Sequence, residues 1–410
     1  MKPTAVELQV ALTDRVIFHP LVFHEEAGDV LVGVREGQFL SVSRTGALVI
    51  QLLREGHSVG SVRKRVEQEL GTADFTIVPL LESLLAAGAV QAIGSRTLPA
   101  PGAPRKGVPF RAATGHVAWL FSPLALAVYL LLAVIGALSL AHARWPFLAV
   151  SELFAQTKYS TLVILGFLIG MLNAVKHELA HALAAAYLGV DSRLTFGYRF
   201  LFPVLQTEFT GLWAVPRNRR FVVYLAGMAS DLLTLAALAI LAVAVRAYAS
   251  PATASGALTI LTLSFFVILS QVAWQFNCFV RTDLYFVLAS LLNCRNLHAD
   301  AKTWLRRFGR PLSQRVEPRV ALKIKLYGGA VAAGYVLSAL AVLATVIELV
   351  RTLLRSSSVV APGLRVHFDN GDKAAMAGTI LLGFLIVGWA KRREMGAGKV
   401  IYQIRASGAI

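Results

Sequence analysis

Charge and cysteine are scarce in this chain. Only 15% of its 410 residues are Asp, Glu, Lys or Arg, against 56% hydrophobic residues, and the mean hydropathy is +0.63. A soluble fold of this length has no interior large enough to hide that much apolar surface, so a polytopic membrane protein is expected. The two cysteines, Cys278 and Cys294, are too few for a disulfide-stapled secreted scaffold; both are expected as free thiols near the cytoplasmic side. The first twenty residues offer no uninterrupted apolar run, being broken by Glu7, Asp14 and Arg15. That argues against a cleavable signal peptide, and the amino terminus is expected to stay in the cytoplasm.

Acidic residues are also in deficit, 23 against 40 Lys and Arg, for a net charge of +17. The location of the excess matters more than its size. Residues 1–106 hold eleven Lys/Arg and eleven Asp/Glu, so the surplus belongs to the apolar part, where it fixes orientation across a bilayer rather than binding phosphate. A nucleic-acid partner is not expected.

Residues 1–93 read as a small α+β domain. Strand-like runs at 16–24, 30–34 and 38–42 are separated by AGD and REG turn signals. Ser43 or Thr45 can cap a helix running through Leu53; Ser58 starts another with Val62, Val66 and Leu70 on one face; Asp74 precedes a third holding Ile77, Leu80, Leu81, Leu84 and Leu85. Gly88 ends it, and AVQAI returns as a short strand. Residues 94–116 open with the Pro- and Gly-rich GSRTLPAPGAPRKGVP and read as a linker.

Apolar segments follow at 117–141, 161–189, 221–247, 257–292, 326–350 and 374–390, giving about six spans within a membrane domain of residues 117–393, then a cytoplasmic tail, 394–410. The fourth is long enough to be broken, tilted or partly re-entrant. Residues 293–325 carry nine Lys/Arg against Asp300 and Glu317, residues 250–256 carry no charge, and Lys391, Arg392 and Arg393 follow the last segment. The positive-inside bias then puts both termini in the cytoplasm of a multi-pass inner-membrane protein.

Within the second apolar segment stands His177-Glu178-Leu179-Ala180-His181. Ionisable groups are costly at membrane depth and mark function. Two histidines four apart on a helix lie about 40° apart around its axis, so both imidazoles reach one metal ion while Glu178 flanks the open coordination position as general base. Such a site needs a third protein ligand and must stay open to water. Asp283, at similar depth in the parallel fourth segment, is the candidate, with an ion pair to Arg281 or Arg295 as its alternative. Asp231 is the other intramembrane acid: a group behind the ligands, a substrate contact or a partner for a basic loop residue. Residues 194–220, aromatic and alternating before a basic cluster, form either a hairpin folded back beside the site or an amphipathic loop on the bilayer surface. His116, His142 and His298 have no ligand partner at useful spacing.

The HExxH span followed by Asn277 and Asp283 in NCFVRTDL resembles the site-2 protease family of intramembrane zinc metalloproteases, whose later span carries Asn-Pro and then Asp-Gly. The resemblance implies Zn2+ on His177, His181 and Asp283, Glu178 as catalytic base, and Asn277 as a substrate contact. Cys278 stands where that family has proline and Leu284 where it has glycine. Residues 1–93, through FLSVSRTGALVIQLL, SVGSVRKRVEQEL and LLESLLAAGAV, resemble PqqD-like peptide-recognition domains. These are winged-helix relatives that grip the leader of a ribosomal precursor peptide as an added strand. Together the two resemblances imply a zinc endopeptidase maturing a peptide delivered by its own recognition domain, with the bilayer, a leader peptide and a peptide-modifying enzyme or exporter as partners. A non-proteolytic membrane peptide receptor, or regulated proteolysis of a membrane-anchored regulator, would use the same parts differently.

Overall fold

The structure, a computed structural model, describes residues 4–406 apart from 20, 27–28, 35–37, 71–76, 87, 99–106, 144–152, 154–156, 200–201, 213–214, 295–296, 307–317, 356, 362–363, 368–370, 374–377 and 379–399. The chain opens with β1 (Thr4–Val10), β2 (Val16–Phe18), β3 (Leu21–Glu26), β4 (Asp29–Val34) and β5 (Gln38–Val42). The run expected at 16–24 is thus two strands serving different sheets: β3, β4 and β5 form an antiparallel meander, whereas β2 pairs with β6 (Val90–Ile93), which pairs in turn with β7 (Arg96–Thr97). Helix α1 (Arg44–Arg54) starts where the Ser43 hydroxyl accepts the Gly46 N–H at 3.1 Å. With α2 (Val59–Leu70) and α3 (Val78–Ala86) it closes an apolar core in which Val49, Ile50, Leu53, Val59, Val66, Ile77, Leu81 and Leu84 are fully buried. Each such side chain contributes roughly 1.5–3 kcal/mol of transfer free energy.

The linker is shorter than expected. Residues 108–110 form β8 (Val108–Phe110), which pairs with β9 (Asp191–Arg199). The distal part of the 94–116 segment therefore belongs to the second half of the molecule. The 394–410 segment likewise ends in structure: β13 (Val400–Ala406) lies parallel to β1, in register from Thr4–Val400 to Val10–Ala406.

Beyond β8 come the short α4 (Thr114–Val117), then α5 (Pro123–Ala143), α6 (Tyr159–Tyr187), β9 and β10 (Phe202–Thr210), α7 (Arg217–Tyr248), α8 (Pro251–Gln275), α9 (Asp283–Leu291), α10 (Leu297–Arg306), α11 (Pro318–Arg355) and the hairpin β11 (Ser357–Ala361)–β12 (Leu364–His367). Five of the described helices are long and apolar enough to cross a membrane: Pro123–His142, Ser160–Tyr187, Arg217–Tyr248, Pro251–Gln275 and Val320–Ala341. The apolar segment 374–390 falls almost wholly outside the described residues. Leu124, Phe167, Leu172 and Leu326 stand more than two-thirds exposed on these helices, an arrangement that water penalises and lipid does not.

Close approach replaces bulk at the crossings. A Cβ on Gly136 of α5 would lie 2.4 Å from the Ala236 Cβ of α7, so this pair of helices meets backbone to backbone. Residues 257–292 are not one helix. Helix α8 stops at Gln275, a single 3-10 turn follows at Cys278–Val280, Arg281 takes a left-handed backbone at φ 59°, and α9 begins at Asp283. That left-handed residue costs roughly 1–2 kcal/mol, and the break places Asp283 at a helix start.

Candidate metal centre

Helix α6 presents His177, Glu178 and His181 on its inner side, and all three are buried, as is Asp283. The His177 Nε2 and His181 Nε2 lie 2.9 and 3.1 Å from Asp283 Oδ2, and 3.2 Å from each other. His177, His181 and Asp283 form a buried group able to hold a metal ion.

The outer ring nitrogens explain the inner ones. His181 Nδ1 lies 2.7 Å from the Val223 carbonyl, which only accepts, so Nδ1 carries the proton. His177 Nδ1 faces the Asp231 Oδ2 at 2.7 Å under the same constraint. In neutral rings both Nε2 lone pairs then converge with a carboxylate oxygen, and one divalent cation satisfies all three donors at once. Space is kept for it by Gly227, where a Cβ would lie 2.4 Å from His177 Nε2 and 2.5 Å from His181 Nε2. Val223, Gly227 and Asp231 recur at four-residue spacing on α7, so one face of one helix supplies a carbonyl, a gap and a carboxylate.

Asp231 is fully buried and amply partnered. Its Oδ1 accepts Asn173 Nδ2 at 3.0 Å and lies 3.2 Å from Lys176 Nζ. Lys176 also donates to the Ser230 carbonyl at 3.1 Å and to Thr234, while Asn173 donates to Gln271 Oε1 at 2.6 Å. The geometry therefore places Asp231 behind the His177 ring, where it also meets Lys176 and Asn173. Lys176, two residues before Glu178 in the sequence, pairs with Asp231.

Glu178 meets strand β10. Its Oε2 accepts the Thr207 N–H at 2.7 Å, and Thr207 Oγ1 donates to the Glu178 carbonyl at 2.9 Å. Strands β9 and β10 thus pair antiparallel beside the site, with Thr207 opposite Leu194 in the ladder, in place of the surface loop.

The turn bearing Asp283 is tied on three sides. Thr282 Oγ1 donates to the Gln275 carbonyl at 2.7 Å, the Asp283 N–H donates to Gln275 Oε1 at 3.1 Å, and Tyr327 of α11 donates to the Cys278 carbonyl at 2.8 Å. Asp283 also sits in the first turn of α9, where the helix dipole favours a carboxylate. Arg281 turns elsewhere, with its guanidinium 5.8 Å from the Phe286 ring centre, and Asp283 contacts both histidines instead; Arg295, the other ion-pair partner considered, lies outside the described residues. Asn277 lies half-buried at the start of the 3-10 turn, and the amide that meets Asp283 and His177 belongs instead to Gln275. Cys278 is tied to Tyr327 through its carbonyl.

His298 is buried under this turn. Its Nδ1 lies 3.1 Å from the Tyr327 hydroxyl and its N–H donates to Tyr285 Oη at 3.2 Å. Burial, with Lys302 and Arg281 adding to it, presses its pKa down to about 4, so the ring is neutral. Gly227, Gln275 and Thr207 were not singled out in the sequence. A glycine one turn before an intramembrane acid, and a glutamine closing an apolar helix, were the available signals.

No family model, curated protein or solved structure matches the chain. What the protein does must therefore be argued from the geometry of the site.

Proposed function

We propose that the protein is a membrane-embedded zinc metalloendopeptidase of site-2 protease type, acting on a peptide held by its amino-terminal domain. The observation that carries the reading is the convergence of His177, His181 and Asp283 on a gap kept by Gly227, with Glu178 buried next to His177 on the same helix. His177, His181 and Asp283 would hold the ion, and the two-imidazole, one-carboxylate donor set suits zinc. Bound zinc would supply Lewis acidity, polarising a peptide carbonyl and making water nucleophilic at neutral pH.

The chain's own groups divide the remaining work. Asp231 and the Val223 carbonyl fix the tautomer and orientation of the two rings. Glu178 takes a proton from the attacking water and returns it to the leaving amine. Thr207 holds the carboxylate of Glu178 in place before reaction, and the hairpin that carries it brings extended backbone beside the site. In this reading residues 4–97 bind the leader of a ribosomally made precursor in the cytoplasm, both termini lie on that side of the inner membrane, and a modifying enzyme or exporter acts on the same peptide. Carrying both parts on one chain raises the local concentration of a bound peptide to roughly millimolar.

The test is stoichiometry with turnover. Full-length protein in detergent is expected to hold one zinc per chain and to cleave a cognate precursor peptide, while Glu178→Ala holds zinc and cleaves nothing. Stoichiometric zinc without wild-type cleavage would favour a peptide receptor; absence of zinc would overturn the metal-centre reading altogether.

A further inference from the structure

We infer that α11, on which none of the three candidate ligands lies, is the element that positions Asp283: Tyr327 and Gly334 clamp the turn that delivers the carboxylate, and Lys323 holds the far end of its helix, an assignment that rests on the metal-centre reading above. The turn needs outside support. Residues 276–284 include no proline or glycine, yet Arg281 takes a left-handed backbone at φ 59° between the 3-10 turn and α9. A residue with a side chain is strained in that conformation, and such strain persists only where surrounding contacts over-determine it.

Helix α11 supplies those contacts from one face, on which Lys323, Tyr327, Val331 and Gly334 recur at four- and three-residue spacing. The Lys323 ammonium donates to the Leu292 carbonyl at 2.8 Å, at the C-terminal end of α9. One turn along, Tyr327 is buried, and its hydroxyl donates to the Cys278 carbonyl at 2.8 Å, ahead of α9. That carbonyl only accepts, so the single hydroxyl proton is spent on it, and His298 Nδ1, 3.1 Å away, must donate to the same phenol oxygen. The hydroxyl is thereby fixed in direction. Gly334 completes the clamp. A Cβ there would come within 2.8 Å of three ring carbons of Phe279, the next residue of the turn, whose ring also meets Tyr335 edge-on at 6.0 Å between centres. Asp283 is thus held through both ends of a short helix, and Tyr327 is a positioning residue that acts on the carboxylate through the backbone of the turn.

Full-length protein loaded with Co2+ separates a clamp on the ligand from stability alone. Affinity is read by chelator competition, and the visible bands of the bound ion report the ligand geometry around it. Tyr327→Phe keeps the ring and removes the hydroxyl. It is expected to bind Co2+ about tenfold more weakly than wild type, the low end of the cost of losing a group that orients a ligand, and to shift the bands. Leu326→Ala, at the neighbouring and outward-facing position, is expected to do neither. Gly334→Ala is expected to weaken Co2+ binding at least as much as Tyr327→Phe, and Phe279→Leu added to it to recover most of the loss. Wild-type affinity in Tyr327→Phe overturns the assignment, and so does weaker affinity with unchanged bands, which marks a less stable fold rather than a displaced carboxylate. If Gly334→Ala does not fold, Tyr327→Phe decides alone. Wild-type protein that binds no Co2+ removes the metal centre itself, and this role with it, whereas a metal-loaded, peptide-cleaving wild type beside an indifferent Tyr327→Phe removes only the clamp.

Discussion

The amino-terminal domain and the helical part differ in what they bury beside hydrocarbon. In the first, the fully buried side chains include Val49, Ile50, Leu53, Ile77, Leu81 and Leu84, a core that water drives together. In the second, Asn173, His177, Glu178, His181, Asp231, Gln275 and Asp283 are buried while Leu124, Phe167 and Leu172 face outward. A water-soluble domain gains stability by hiding hydrocarbon. Helices in lipid gain little from that, and are held by close backbone approach and by hydrogen bonds that have no water to compete with them. In this protein the polar groups that join α6, α7 and α8 include those of the group able to hold a metal ion, so cohesion and a candidate site share one set of atoms.

That contrast can be broken at chosen residues. The largest effect is expected for Gly227→Ala, whose methyl carbon would lie 2.4 Å from His177 Nε2: metal binding and turnover should vanish together, measured as zinc per chain and peptide cleavage. Glu178→Gln should abolish cleavage while leaving zinc stoichiometric, since the residue is not among the ligands. Leu53→Ala should cost the amino-terminal domain about 2–5 kcal/mol and leave zinc per chain unchanged; loss of zinc in that variant would show that the two regions fold as one cooperative unit. Asp231→Asn, which strips the charge from behind His177, should weaken metal affinity about 10–100-fold without ejecting the ion from saturated protein.

The smallest effect is a pH dependence. His298 has its pKa lowered by burial to about 4, below an ordinary value of about 6.5, so between those values the unfolded chain binds the proton that the folded chain refuses. The stability it protects is complete above about pH 6.5 and is lost as pH falls towards 4. Thermal unfolding of the detergent-solubilised protein between pH 7.5 and 5 should therefore show a decline that His298→Gln flattens. An unchanged slope would exclude His298 as its source.

How much of this is legible in the sequence follows from distance along the chain. His177, Glu178 and His181 are readable because a four-residue spacing on a helix is a local fact. Asp283 is readable as an acid at matching depth in a parallel segment and through the resemblance, but the break after Gln275 that delivers it is only one of several readings of an overlong apolar segment. Asp231 is visible as an expensive charge, yet its role depends on Asn173, Lys176 and His177 across a helix interface, which no local pattern encodes. Gly227 and Gln275 are silent for the same reason: an empty space and an amide acquire meaning only from what stands opposite. The hairpin at 191–210 has alternation strong enough to suggest strands but nothing to say where they would lie. Strand β13 escapes notice because its partner lies almost the whole chain away, and β pairing across such a separation leaves no periodic mark.

The ladder between β1 and β13 also sets a rule for labelling. Seven residues near each end run side by side in register from Thr4–Val400 to Val10–Ala406, and two strands sharing hydrogen bonds cannot occupy different compartments. Reporters fused to the two ends must therefore light up on the same side of the bilayer, whichever side that is. A pair of reporters that disagreed would show the ladder unzipped by the fusion, not a revised topology.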